Sequence, residues 1–253
     1  MKLTLLGTGT SCGVPVIGCQ CEVCQSTNPL DKRTRCSALV ETENTRLLID
    51  CGPDFRQQIL PQPFRKIDGI LITHSHYDHV GGMDDIRPYC QFGEINVYAD
   101  QNARESLLQM MPYCFAENRY PGVPAIGLHE ILPHQPLQIG DFEIMPIEVM
   151  HGHLPILGFR IGSLTYITDM KTIEDSEWPY LEGTELLVVN ALRFDKTHHS
   201  HQLVDDAITF ARRVGAKRTL LIHVCHDIGL HDEVNRRLPE GIELAYDGQV
   251  INL

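Results

Sequence analysis

Four apolar runs in this sequence end in the same way. Arg46–Ile49 runs into Asp50, Gly69–Thr73 into His74, Leu164–Thr168 into Asp169, and Arg218–Ile222 into His223. A fifth, Glu143–Val149, stops just short of His151. Runs this short and this rich in Ile, Leu, Val and Thr read as strands. Each delivers a carboxylate or an imidazole at its end. In layered α/β folds reactive groups collect at strand ends, where loops hold them rigidly. The pattern therefore predicts loops that converge on one site.

The remaining punctuation fits such a fold. Leu3–Leu6, Ala38–Glu41, Ile95–Tyr98 and Leu186–Val189 read as further strands. Asp54–Leu60, Met83–Cys90, Gln101–Met111 and Asp232–Leu238 read as helices. Leu203, Ala207, Phe210 and Val214 keep helical spacing, and Gly215 is a natural stop. Gly162-Ser163 is expected to close a hairpin between Gly158–Ile161 and Leu164–Thr168. Asp247-Gly248 is expected to close another between Leu244–Tyr246 and Val250–Asn252. With no repeat and no linker, residues 1–253 read as one domain.

The chain holds 13 histidines, and they are clustered. Thr73-His74-Ser75-His76-Tyr77-Asp78-His79 packs three of them and an Asp into one short turn. Such a turn can aim His74 and His76 to one side and Asp78 and His79 to another, so one loop can serve two metal positions. Imidazole with carboxylate suits Zn, Mn or Fe. Two cations about 3.5–4 Å apart lower the pKa of a shared water and neutralise charge on a phosphoryl or acyl oxygen. No Gly-x-Ser-x-Gly elbow competes as a nucleophile.

This motif resembles the signature of the metallo-β-lactamase superfamily, and the strand-end residues fit its other motifs in order. The resemblance implies an αββα four-layer sandwich. It implies that His74, His76 and His151 hold one divalent ion, that Asp78, His79 and His223 hold a second, and that Asp169 bridges them. Asp50 would orient the loop by hydrogen bonds without binding metal. His153 competes with His151, but His151 lies nearer the strand end and begins a His-Gly-x-Leu-Pro-x-x-Gly run that resembles a form of this motif.

Cys19, Cys21 and Cys24 place three thiols within six residues, which suits a tetrahedral zinc needing one more ligand. Cys12, Cys36, Cys225 and His226 are the candidates. The triplet, Gly7-Thr8-Gly9-Thr10, Arg35-Cys36-Ser37 and His223-Val224-Cys225-His226 resemble the PhnP branch, the phosphodiesterases of the carbon–phosphorus lyase pathway. That likeness favours His226. It implies a structural zinc tying a loop at about 12–36 to the last catalytic loop.

Asn190–His201 carries Arg193, Lys196, His198, His199 and His201. By position His201 resembles the catalytic histidine of that branch, and with Asp78 it would move protons. Arg193 is a candidate phosphate clamp. The implied reaction is hydrolysis of a small cyclic phosphodiester, of ribose cyclic phosphate or 2′,3′-cyclic nucleotide type, with Mn or Zn in the centre. The same ligands would serve a glyoxalase II-like thioesterase or a lactonase, and a non-catalytic metal-binding regulator could keep the fold. The formal charge of −12 disfavours general nucleic-acid or anionic-membrane binding. With no long basic insertion, it also disfavours tRNA 3′-processing. No apolar stretch reaches the roughly 18 residues of a membrane span, and Met1–Gly7 is too short for a signal peptide. A cytoplasmic, reducing setting is expected, with the nine cysteines as thiols or ligands. A homodimer would draw on Ile59–Phe64 and Met110–Phe115 if those stretches lie at the surface.

Overall fold

Successive residues of the strands alternate between two burial environments, and that alternation sets the layering. The computed structural model describes residues 1–253. In β1 (Lys2–Gly7), Leu3 and Leu5 join one apolar cluster and Leu6 joins another. β2 (Ser37–Glu41) and β3 (Arg46–Ile49) split the same way: Ala38, Val40, Leu47 and Ile49 against Leu39 and Leu48. A strand that is apolar on both faces belongs to a sheet covered on both faces. β4 (Gly69–Leu71), β5 (Ile95–Ala99) and β6 (Ile126–Glu130) extend this first sheet.

The second sheet holds β7 (Leu137–Ile139), β8 (Phe142–His151), β9 (Leu154–Ile161), β10 (Leu164–Ile167), β11 (Leu186–Asn190), β12 (Arg218–Ile222) and β13 (Ile242–Leu244). Its alternate residues divide likewise. Leu164, Tyr166, Leu186, Val188, Leu220 and Ile222 join the cluster that already holds Leu3 and Leu47. Ile167, Leu187, Val189 and Leu221 face away from it. The shared cluster is thus the core between the sheets. Helices Phe55–Ile59 and Gln101–Met110, with 3-10 turns over Met83–Phe92, cover the outer face of the first sheet. Helix Val204–Val214 lays Val204, Ala207, Phe210 and Ala211 on the outer face of the second. Helix His231–Arg237 adds Val234 there. The result is the αββα sandwich.

β14 (Val250–Asn252) departs from expectation. No hairpin forms through Asp247-Gly248. β13 pairs with β12 in the second sheet, and β14 crosses to the first, where it runs antiparallel to β1. The Asp247 carboxylate ties the turn before β14 to the N-terminal loop. It accepts from the backbone and hydroxyl of Thr8 at 2.8 Å each, and from those of Thr34 at 2.6 and 2.7 Å. Asp247-Gly248 still turns the chain, with the Gln249 amide donating to the Tyr246 carbonyl at 3.2 Å, but the strand that leaves the turn pairs with β1 and not with β13. β6 and β7 were not foreseen. β6 ends in exposed His129 and Glu130, and β7 is only three residues long, so neither carries a clear apolar alternation. The hairpin at Gly162-Ser163 forms as read, with Leu164 opposite Ile161.

Candidate metal centre

β3–β4 in one sheet and β10–β11–β12 in the other are parallel. The residues that follow their ends come together at one edge of the sandwich, where open α/β sheets bind ligands. Asp50, Asp169 and His223 leave their strands in the left-handed region, with φ of 57°, 57° and 52°. For a non-glycine residue this costs on the order of 1–3 kcal/mol and persists only where the surroundings impose it. Gly52 allows the loop after β3 to press against the ligand turn, since a Cβ there would collide with the Asp78 carbonyl.

The structure brings together every residue that the sequence placed at the two metal positions. His74, His76 and His151 each offer a nitrogen, all within 4.8 Å of one another. Asp78, His79, Asp169 and His223 form a second group within the same limit. Asp169 also groups with His151 and His201, which links the second group to one member of the first. His151 Nδ1 is 2.7 Å from the Asp169 carbonyl and 3.0 Å from that of Ser200, which makes it the N–H donor and leaves Nε2 for the cluster. His153 sits on the exposed turn beyond it, outside every group.

Whether these residues fit an ion can be judged from their unpaired atoms. His79 Nδ1 donates to the Asp50 carboxylate at 2.7 Å. Its Nε2 lies 3.2 Å from both Asp78 and Asp169 and has no hydrogen-bond partner. His223 Nε2 stands 3.0 Å from Asp169 and 3.6 Å from Asp78, again without a bond. Buried lone pairs facing carboxylates need a cation between them. A proton is the simplest such cation. Burial would depress the His79 imidazole, but the Asp169 and Asp50 carboxylates outweigh it and raise it well above its ordinary value. Burial likewise favours neutral Asp169, yet His223 and His79 hold it well below the usual carboxylate range. A divalent ion meets the same demand with the nitrogen and oxygen ligands that Zn, Mn and Fe accept.

His201 sits between His151 and His223, with ring centroids 4.7 and 4.8 Å away. Its Nδ1 is 3.8 Å from Asp169 and unpartnered. Burial, then the His223 imidazole, push it down to about 3. The segment is pinned by Lys171 Nζ, which donates to the His201 carbonyl at 3.1 Å, and by the Gln202 amide, which donates to Met170. Arg193 is not brought to the cluster. It donates to Asp227 at 3.5 Å and to the Lys196 carbonyl at 3.0 Å, so its role as a phosphate clamp has no support in this geometry.

Two residues of the Asn190–His201 stretch had no specific role assigned from the sequence. His198 stacks on His201 at 4.8 Å, and nothing local marked it out from His199. Asn190 brackets Met170, accepting from its amide at 2.8 Å and donating to its carbonyl at 2.9 Å. It thereby holds the turn after Asp169. A buried amide closing the otherwise apolar β11 was the available signal.

The thiol triplet forms its own group with His226. Cys19 and Cys21 Sγ lie 3.4 and 3.2 Å from His226 Nδ1, and Cys24 completes the four. The His226 contact draws the Cys21 thiol down to about 6, towards the thiolate that binds metal. Cys12 is exposed, Cys36 is turned to the Gly9 carbonyl, and neither they nor Cys225 join the group. The site joins the loop before helix Glu22–Gln25 to the segment after β12.

Residues 45–224 match the model of the beta-lactamase superfamily domain. A Porphyromonas gingivalis protein named octanoyltransferase is 46% identical over 249 residues, covering 98% of this chain and 51% of that protein. A ribonuclease Z of Methanopyrus kandleri is 29% identical over 138 residues, 53% of this chain and 46% of the relative. The chain thus spans about half the length of these curated relatives. A crystal structure described as a new diphosphatase from the PhnP family superposes with a TM-score of 0.91 at 38% identity, over 99% of this chain and 96% of that one. No helix is long and apolar enough to cross a membrane.

Proposed function

This chain belongs to the beta-lactamase superfamily, and from that premise we propose that it is a two-metal phosphodiesterase acting on small cyclic phosphodiesters. One observation carries the reading: two ligand groups lie side by side, linked where His151 of the first comes together with Asp169 of the second, and buried His79 and His223 nitrogens are left unpaired between carboxylates. His74, His76 and His151 would hold one ion, and Asp78, His79 and His223 the other, with Asp169 shared. Bound there, the ions supply an acidified water and charge neutralisation at the phosphoryl oxygens. The protein supplies position. Asp50 fixes the His79 ring, the Asp169 and Ser200 carbonyls fix the His151 ring, and Asn190 holds the turn after Asp169. His201 borders the shared Asp169 and, neutral as its burial dictates, would offer its ring N–H as a hydrogen bond to the leaving oxygen as the bond to phosphorus breaks. Cys19, Cys21, Cys24 and His226 would hold a third, structural zinc whose four ligands leave no open position.

The diphosphatase and ribonuclease Z relatives support cleavage at phosphorus. The Porphyromonas gingivalis relative favours a second reading, hydrolysis of an acyl ester or thioester on the same centre, because its name denotes acyl chemistry. A substrate panel separates the two. Protein loaded with Mn or Zn is expected to cleave bis(p-nitrophenyl) phosphate and 2′,3′-cyclic nucleotides, and His76→Ala is expected to abolish both. Turnover of octanoyl thioesters or lactones with none of phosphodiesters would reverse the assignment.

A further inference from the structure

Asp50 does more than orient one ring. Its Oδ2 accepts from His79 Nδ1 at 2.7 Å and from the Thr73 hydroxyl at 2.8 Å, while Oδ1 accepts from the Thr73 amide at 2.8 Å. All three residues are wholly buried. The Thr73 hydroxyl also lies 3.0 Å from His74 Nδ1. A hydroxyl has one proton, and here the carboxylate takes it. His74 Nδ1 must then be the donor to the Thr73 oxygen, and the unprotonated nitrogen is Nε2. That nitrogen stands 3.1 Å from His76 Nδ1, within the first ligand group.

We propose that the Thr73 hydroxyl is a positioning group that selects the metal-binding tautomer of His74. Asp50 thereby orders both metal positions: the first through Thr73 and His74, the second directly through His79. The inference rests on the two-metal reading above. It sets two variants apart. Removal of the Thr73 hydroxyl disturbs the first position alone, whereas removal of the Asp50 charge disturbs both.

The test is calorimetric titration of the metal-free full chain with Mn, with total bound metal counted independently. Wild type is expected to take two ions at this centre. Thr73→Val keeps the shape and removes the hydroxyl. It is expected to bind one of those ions about 10- to 100-fold more weakly, and the other within about threefold of wild type. Thr73→Ser restores the hydroxyl and is expected to restore the first affinity. Asp50→Asn is expected to weaken both ions. Melting of each metal-free variant checks folding. Wild-type affinities in Thr73→Val, or equal weakening of both ions that Thr73→Ser does not rescue, would overturn the role of Thr73 while leaving the two-metal centre standing. Fewer than two ions in wild type would remove both.

Discussion

His201 is the residue whose loss should separate turnover from metal binding. It borders the cluster without the hydrogen bonds that fix His79 and His151, and its free nitrogen faces the shared Asp169. His201→Ala is expected to lower kcat by about 10²- to 10⁴-fold with two ions still bound at the centre. Steady-state kinetics alongside metal analysis checks this, and an ion lost together with activity would make His201 a ligand instead. The residue types at the cluster were legible because imidazole and carboxylate have few other reasons to follow apolar strands. His198 and Asn190 were not. Stacking on His201 and bracketing of Met170 are contacts made across the fold, and sequence neighbours do not reveal them.

At the scale of elements, the strand-to-loop transitions do the positioning and the helices cover the outer faces. Helix Val204–Val214 follows the His201 segment and ends on Gly215, which adopts φ of 74° and closes the last turn onto Ala211. A Cβ at Gly215 meets no atom within 4 Å, so Gly215→Ala tests backbone conformation alone. The expected cost is about 1 kcal/mol in denaturant unfolding, with kcat unchanged because Gly215 lies at the far end of the helix from His201. A fall in turnover of the same variant would mean that the helix helps hold the catalytic segment. Strand periodicity located most of the central strands, although β9 begins at Leu154, four residues before the expected Gly158. It missed β6 and β7, where a weakly alternating or very short run does not announce itself; β14 lies at its expected bounds, but its pairing partner is chosen by the sheet and not by the nearest turn.

Across the whole molecule, the Cys19-Cys21-Cys24-His226 group spans more than 200 positions in sequence and brings the N-terminal loop against the segment that follows His223. The backbone reinforces it, as Thr10 donates to Val224 and Val224 to Thr8. A zinc held by these four residues would stabilise the folded state. Cys21→Ser is therefore expected to lower the bound metal by one ion per chain and the melting temperature by at least about 5 °C. Elemental analysis and a thermal melt decide it; an unchanged ion count would show that the thiols carry no metal. By itself the sequence determined which side chains could do chemistry and that they stand at strand ends, because hydrophobic period and ligand chemistry are both local properties. Only the tertiary structure decided that His226 rather than Cys12, Cys36 or Cys225 completes the thiol group, that Arg193 turns to Asp227, and that the last strand changes sheets. Those choices depend on distances between residues far apart in the chain, which are settled when two sheets pack through one shared core.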